Sequence, residues 1–156
     1  MGRYGRDEIE AAFDRYQQAA LEGGTTGNWN AWANCFTEDC TYVEHMYGTI
    51  GGREAVRRWI HTTMVEEWPG NQMPHFPIEW YVIDEDKAWV VCQVWNRMED
   101  PGDGSVWQAY NLTLLKYAGN GMFSYEEDIY NPSHFATMLG GWKQRKAELD
   151  AAAPAT

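Results

Sequence analysis

The strongest constraint on the fold is a change of hydrophobic period in the second half of the chain. Apolar and polar residues alternate in four segments, at about 78–83, 87–97, 106–117 and 122–130. Turn-forming residues separate them: Asp-Glu-Asp at 84–86, Pro-Gly-Asp-Gly at 101–104 and Gly-Asn-Gly at 119–121. Because side chains alternate between the faces of a strand and Gly- and Asn-rich turns connect hairpins, this pattern predicts a meander of antiparallel strands.

Helices are predicted on both sides of this meander. Apolar residues recur at helical spacing over about 7–22 and 53–67, a short helix is predicted after Asn28, and Pro132 begins a C-terminal helix. Helices followed by antiparallel strands are typical of α+β domains. We predict a cone-shaped α+β barrel in which a curved antiparallel sheet wraps around the N-terminal helices and leaves a deep apolar pocket. Residues 1–150 are predicted to form this single domain and 151–156 a disordered tail.

Composition excludes several classes of protein. The chain has 156 residues, of which 44% are hydrophobic, enough for one domain with a packed core. Its net charge of −11 disfavours binding to nucleic acid, because the phosphate backbone is also negative. The cysteines and histidines show no zinc-ligand spacing, and no apolar run reaches membrane-spanning length. We therefore expect a soluble, cytoplasmic protein that binds neither membrane nor metal and needs no organic cofactor.

An earlier segment, Thr-Tyr-Val-Glu-His-Met-Tyr-Gly at 41–48, contains the first candidate for chemistry. Its alternation predicts a strand with Val43 and His45 on one face. If that face points inward, the imidazole enters an apolar interior, where desolvation keeps it neutral and able to accept a proton. His45 is then either a structural histidine of the core or the general base of a pocket, and the sequence leaves both interpretations open.

Four strings of the sequence support a family resemblance. They are Phe-Asp-Arg-Tyr at 13–16, Trp-Ala-Asn-Cys-Phe-Thr-Glu-Asp-Cys-Thr-Tyr-Val at 32–43, Gly-Gly-Arg-Glu-Ala-Val at 51–56 and Glu-Glu-Asp-Ile-Tyr-Asn-Pro at 126–132. In this order they resemble the nuclear transport factor 2-like superfamily, and the last of them its SnoaL-like branch. The resemblance implies the cone-shaped fold and a homodimer. It leaves function open, because this fold serves isomerases, cyclases, dehydratases, epoxide hydrolases and non-catalytic binders.

One enzyme pattern of this superfamily is that of the ketosteroid isomerases. Their Val-Glu-Asp-Pro motif contains the catalytic base, and Val-Glu-His-Met at 43–46 is similar to it, with His45 in the position of the base. The tyrosine of their oxyanion hole follows an arginine on the first helix, as Tyr16 does here. Their protonated aspartate would fall near Thr113, with Asn111 on the same strand face. The resemblance implies that Tyr16 and Asn111 polarise a substrate oxygen.

The limonene-type epoxide hydrolases offer a second pattern. They hold and activate a water with an Arg-x-Asp on a central strand, an Asp on the last strand and an Asn. Arg97 and Glu99 resemble the first pair, Asp128 resembles the second aspartate, and His45 replaces the asparagine. This pattern implies the addition of water to an epoxide.

The direction of Asp128 is left open by the period of the last predicted strand. Glu126 and Asp128 share one face, whereas Phe123 and Ile129 lie on the opposite, more apolar face. Asp128 would therefore face the pocket only if a β-bulge intervenes or the other face is locally covered. An inward Asp128 could orient His45.

The combined prediction is a protein that acts on, or binds, a small apolar molecule. Its favoured function is cofactor-independent acid–base chemistry, as an isomerase, cyclase or dehydratase, on an oxygen-bearing ligand of the steroid, terpenoid or polyketide type. The alternatives are an epoxide hydrolase and a non-catalytic ligand-binding or scaffold protein. The predicted catalytic residues are His45, Tyr16 and Asp128. The predicted substrate-binding residues are Asn111, Thr113, Arg97, Glu99, Val43, Trp95 and Trp59.

Overall fold

The computed structural model describes residues 2–153. These residues form α1 (Arg6–Thr26), α2 (Asn30–Ala33), β1 (Phe36–Glu44), β2 (Gly48–Gly51), α3 (Arg53–His61), β3 (Ile78–Asp84), β4 (Trp89–Arg97), β5 (Gln108–Gly119), β6 (Met122–Ile129) and α4 (Pro132–Ala152). A π-helical turn at Thr62–Glu66 extends α3. Within the described residues, none of the helices combines the length and the apolar character that a membrane crossing requires.

The strands form one curved, open sheet in the order β2-β1-β6-β5-β4-β3. The part from β3 to β6 is the predicted antiparallel meander. One pair differs from the prediction, because β1 runs parallel to β6, with Thr41 opposite Tyr125 and Glu44 opposite Asp128. A parallel pair is possible here since a long crossover connects the two strands. The mixed α+β, cone-shaped fold is as predicted.

An aromatic core joins α1 to the inner face of the sheet. The ring centroid of Tyr16 lies 6.3 Å from that of Phe36 on β1 and 6.0 Å from that of Phe123 on β6. Both phenylalanines are 0% exposed. Removing each such ring from water contributes about 1.5–3 kcal/mol. The position of Tyr16 relative to β1 and β6 is therefore determined by the core.

A β-bulge in β6 sets the direction of the last carboxylates. The register between β5 and β6 shifts by one residue after Lys116, which leaves Ser124 as an extra residue. Phe123 and, three residues later, Glu126 are therefore both buried, with 0% and 2% exposure. In an unbulged strand, an inward Phe123 would have placed Asp128 on the outer face. The bulge brings Asp128 to the inner face instead.

Two predicted boundaries differ from the structure. The glycine-rich segment 48–52, for which the sequence predicts a flexible corner, contains β2, which pairs with β1. The C-terminal helix continues to Ala152, so that the first two residues of the predicted tail are helical. Residues 154–156 of that tail lie outside the described part of the chain.

Candidate active site

A cavity of about 590 Å³ opens between the inner face of the sheet and helices α1, α3 and α4. Most of its wall is aromatic or aliphatic, with contributions from Trp29, Trp32, Trp59, Met64, Met73, Phe76, Ile78, Val94 and Leu139. One side carries the carboxyl groups of Glu44, Glu126 and Asp128. No lysine, arginine or histidine lines this cavity within residues 2–153. A cavity of this size and lining suits a small organic molecule.

Two tyrosines hold Glu126 and Asp128 side by side on β6. The Tyr16 hydroxyl donates to Oε1 of Glu126 over 2.8 Å. The Tyr42 hydroxyl donates to Oδ2 of Asp128 and lies 3.2 Å from Oε1 of Glu126. The parallel pairing of β1 with β6 places Tyr42 opposite Glu126. Oε2 of Glu126 is buried and has no hydrogen-bond partner among the described residues.

Neutral donors on β5 hold the other oxygen of Asp128. Oδ1 accepts hydrogen bonds from Thr113 Oγ1 at 2.5 Å and from Asn111 Nδ2 at 2.9 Å. The Asn111 amide oxygen in turn accepts from Asn96 Nδ2, over 2.6 Å. Asp128 is thus fixed by hydrogen bonds and has no cationic partner among the side chains that line the cavity.

The two carboxyl groups on β6 lie in different environments, and their pKa values differ as a result. Burial raises the pKa of Glu126 well above its usual value, and the charge of Asp128 raises it further. Burial also raises the pKa of Asp128, to about 6, although hydrogen bonds from Thr113 and Tyr42 oppose the shift. Of the two groups, Glu126 therefore favours its neutral form, and Asp128, whose charge is stabilised by more hydrogen bonds, favours the carboxylate. Such a pair can donate a proton from one group and accept one at the other.

Glu44, at the end of β1, is the third carboxyl group of this wall. Its Oε2 accepts from the backbone N–H groups of Met46 and Tyr47, over 2.7 Å and 2.8 Å. Its Oε1 accepts from the Tyr130 hydroxyl. These bonds join the turn after β1 to the segment between β6 and α4. Glu44 is also the direct neighbour of Asp128 in the parallel pair, so the charges of the wall lie on two adjacent strands.

Five of the predicted site residues line the cavity: Tyr16, Asp128, Asn111, Thr113 and Trp59. They come from two helices and two strands. The fold brings four of them, all except Trp59, into one hydrogen-bonded network with Glu126 and Tyr42. Trp59 stands beside this network, with its ring centroid 4.9 Å from that of Tyr42. Their roles in binding or catalysis stay predictions.

His45 lies outside the cavity, contrary to the prediction. The inner face of β1 contains Tyr42 and Glu44, which are 3% and 6% exposed, so the face of Val43 is the outer one. The His45 side chain is 45% exposed, and its Nε2 lies 3.0 Å from Oε2 of Glu127. A ligand in the cavity therefore has no contact with this imidazole. The prediction for Val43 is wrong for the same reason.

Arg97, Glu99 and Trp95 also lie away from the cavity, contrary to the prediction. The buried residues of β4 belong to the alternate set, Val90, Cys92 and Val94. Arg97 and Trp95 lie on the opposite face, and Glu99 follows the strand in a loop. The polar pair that meets the aspartate of the last strand is instead Asn111 and Thr113 on β5.

Sequence reasoning missed Tyr42, Glu44 and Glu126 as site residues. The signal was present, because a two-residue period places Glu126 on the face of Asp128, and Glu44 on the face of Tyr42. The period does not say which face is inner. That choice needed the packing of β1 and the bulge in β6.

A second, open groove of about 1070 Å³ lies between α1, α2 and the turn after β5. Its lining combines exposed polar side chains, such as Gln18, Asn34 and Asn120, with apolar ones, such as Leu21 and Met122. It lacks a buried carboxyl pair of the kind found in the inner cavity. The inner cavity is therefore the candidate active site.

A sequence-family comparison agrees with this architecture. The family model described as "SnoaL-like domain" matches residues 15–116. No curated protein sequence matches the chain.

Solved structures of low sequence identity share the fold. An LEH-like epoxide hydrolase from M. tuberculosis is 11% identical, with a TM-score of 0.69 over 96% of each chain. A proposed SnoaL-like polyketide cyclase from Jannaschia sp. is 14% identical, with a TM-score of 0.64 over 88% of this chain and 96% of the other. A ketosteroid isomerase-like protein from Catenulispora acidiphila, in complex with trimethylamine, is 23% identical, with a TM-score of 0.62 over 80% of this chain and 92% of the other. These likenesses concern the fold alone.

Proposed function

The chain belongs to the SnoaL-like domain family, and we propose that its cavity performs cofactor-independent acid–base chemistry on a small, mostly apolar, oxygen-bearing molecule. One observation carries the proposal: Glu126 and Asp128 lie together in an apolar cavity, burial raises the pKa of both, and the charge of Asp128 raises that of Glu126 further. Pairs of titratable groups with separated pKa values are typical of acid–base sites.

Asp128 is the proposed base. Its Oδ1 accepts two hydrogen bonds, from Thr113 and Asn111, whereas Oδ2 accepts one, from Tyr42. A carboxylate oxygen has two lone pairs, so Oδ2 retains one for an incoming proton. That proton can come from a substrate carbon next to a carbonyl group.

Glu126 is the proposed acid. In its neutral form it can donate a proton from Oε2, the atom without a protein partner, while Oε1 accepts from Tyr16. A substrate oxygen near Oε2 would be stabilised as negative charge develops on it. Removal of a proton at carbon together with protonation at oxygen is the step common to isomerisation, cyclisation and dehydration.

Deuterium exchange tests this proposal. The protein is incubated in deuterium oxide with a panel of cyclic ketones and enones, and incorporation next to the carbonyl is followed by mass spectrometry. We expect wild-type exchange to fall by about 10²–10⁴-fold in Asp128→Asn. Glu127→Gln is the matched control, because this neighbouring carboxylate bonds to Tyr125 and His45 outside the cavity. Wild-type exchange in Asp128→Asn contradicts the proposal, and ketone binding without exchange favours a non-catalytic binder.

Epoxide hydrolysis is the second candidate. It is favoured by the anchoring of Asp128 between Asn111 and Thr113 and by the likeness to the LEH-like epoxide hydrolase over 96% of both chains. In this reaction Asp128 would take a proton from water, and Glu126 would donate one to the epoxide oxygen. The diol formed in oxygen-18-labelled deuterium oxide would gain one labelled oxygen and no deuterium at carbon, which separates this activity from the first.

A further inference from the structure

The acidic wall of the inner cavity has no cation to balance it. The wall contains the carboxyl groups of Glu44, Glu126 and Asp128, and the described residues that line the cavity include no basic side chain. Buried carboxylates are normally paired with a cation or bound to a metal. Residues 2–153 contain no group of three His, Cys, Asp or Glu side chains placed to hold a metal ion. The cavity is therefore complementary in charge to a cationic ligand.

Glu126 provides a second, independent observation. Its side chain lines the cavity, is 2% exposed, and leaves Oε2 without a hydrogen-bond partner among the described residues. A buried polar atom without a partner costs free energy that a bound group can recover. A bound ammonium group favours the ionised form of Glu126, and an N–H of that group would supply the donor that Oε2 lacks.

Aromatic rings stand next to these carboxyl groups. The ring centroid of Trp59 lies 4.9 Å from that of Tyr42 and 5.7 Å from that of Tyr47, with interplanar angles of 47° and 71°. Trp59 thus contacts both tyrosines, and all three residues line the cavity. Tyr42 bonds to Asp128 through its hydroxyl, and Tyr47 bonds to Glu44 through its backbone N–H. Hydrogen bonds thus connect the two tyrosines to the carboxylates of the cavity wall. The faces of aromatic rings attract organic cations.

We propose that the cavity binds an organic ammonium ion with an apolar body, and that the substrate carries this amino group. The ammonium would lie between the acidic wall and the rings of Tyr42, Tyr47 and Trp59, with the apolar body against the aliphatic wall. The inference rests on the proposed function in using the same cavity, but it concerns binding and does not require turnover. Carboxylate and phosphate ligands are excluded, because they meet like charges.

A dependence on pH follows from this arrangement. A bound cation favours the ionised form of Asp128, whose pKa is raised to about 6 by burial, so affinity rises as the pH increases through this range. Other titratable groups also influence Asp128: Glu126, Glu44, Tyr16, Tyr42, Tyr130, Cys92 and His45.

Three probes of equal shape and different charge test the proposal. They are choline, its neutral carbon isostere 3,3-dimethylbutanol, and the anion 3,3-dimethylbutanoate. Binding is followed through the Trp59 indole resonance, which a Trp59→Phe spectrum assigns. We expect choline to bind at least about tenfold more tightly than the alcohol, with no binding of the anion. The affinity of the wild-type protein for choline should rise between about pH 5 and pH 7. This measurement does not depend on the folding of any variant.

Variants at the wall complete the test. Asp128→Asn and Glu126→Gln should reduce the affinity for choline toward that for the alcohol, and the control Glu127→Gln should keep the preference. An alcohol that binds as tightly as choline, or no binding of any probe, overturns the inference. If the alcohol binds equally well and Asp128→Asn abolishes ketone exchange, the cation inference fails and the proposed function stands. If choline binds selectively and no ketone exchanges deuterium, the cation inference stands and the proposed function fails.

Discussion

Glu126 and Asp128 are two residues apart on one strand but meet different partners. Glu126 is 2% exposed and accepts hydrogen bonds at one oxygen alone, whereas both oxygens of Asp128 accept hydrogen bonds. Hydrogen bonds that stabilise the charged form lower a carboxyl pKa, and burial raises it. The better-bonded Asp128 therefore ionises first, and Glu126 keeps its proton at a cost to stability.

We expect Glu126→Gln to stabilise the protein near pH 8 by on the order of 1–2 kcal/mol, with little effect near pH 5. The pKa of Glu126 is higher in the folded protein than in the unfolded chain, so the folded state holds an extra proton. The stability that Glu126 contributes is full below the unfolded pKa and is lost as the pH rises toward the folded pKa. The glutamine variant lacks this loss, and thermal unfolding over a pH series measures the difference.

Glu127→Gln is the control for this prediction. Hydrogen bonds from Tyr125 and His45 lower the pKa of Glu127, so its contribution to stability is lost as the pH falls. Its removal should therefore have the opposite pH dependence. A Glu126→Gln variant whose stability relative to wild type does not increase with pH would contradict the assignment of a neutral Glu126.

At the scale of elements, α4 lines the cavity and packs on the rest of the molecule through a few side chains. Met138 and Trp142 are its buried residues, and the Trp142 indole N–H donates to the backbone oxygen of Glu99 over 2.8 Å. Next to Trp142, two adjacent glycines meet different surroundings. A Cβ at Gly141 would lie 2.3 Å from the Trp107 ring, whereas a Cβ at Gly140 would meet nothing within 4 Å. The glycine at 141 therefore allows the helix to approach Trp107.

The same substitution at these two positions should have opposite effects. Gly140→Ala is expected to stabilise by about 0.5–1 kcal/mol, because alanine loses less backbone entropy in a helix. Gly141→Ala is expected to destabilise by about 1–3 kcal/mol, because the added methyl group overlaps Trp107. Chemical denaturation of both variants measures the two changes in the free energy of unfolding. Equal changes at both positions would show that α4 does not pack as described.

At the scale of the whole molecule, the outer face of the sheet is apolar and uncovered by the described helices. Trp80, Val82, Tyr110 and Ile129 are 42%, 56%, 40% and 47% exposed. Trp95 pairs with Tyr110 across β4 and β5, with ring centroids 5.5 Å apart. Contiguous exposed apolar surface is typical of interfaces, which agrees with the homodimer implied by the family resemblance.

We predict that this outer face forms the contact between two copies of the chain. Tyr110→Glu should then shift the protein from dimer to monomer in analytical ultracentrifugation, because it buries a charge in the contact. Val106→Glu is the control, since Val106 is 61% exposed but precedes β5 in a loop. Because each copy has a net charge of −11, higher salt should favour the dimer. A wild-type monomer at high concentration and high salt would refute the prediction.

Much of the fold could be predicted from the sequence, because it depends on local patterns. The alternation over β3–β6, the turns between them and the proline at the start of α4 each depend on neighbouring residues. The parallel pairing of β1 with β6 could not be predicted this way, since it joins strands separated by about half of the chain. The pairing nevertheless decides the site, because it brings Tyr42 to Glu126 and Glu44 to Asp128.

The sequence by itself determined the α+β class, the residues that share a face within an unbulged strand, and the family. The tertiary structure decided which face is inner. On β1 the core selected the face of Tyr42 and excluded His45, and on β6 the extra residue Ser124 turned Asp128 inward. A two-residue period is symmetric between the faces of a strand, and the choice depends on burial against elements far away in sequence.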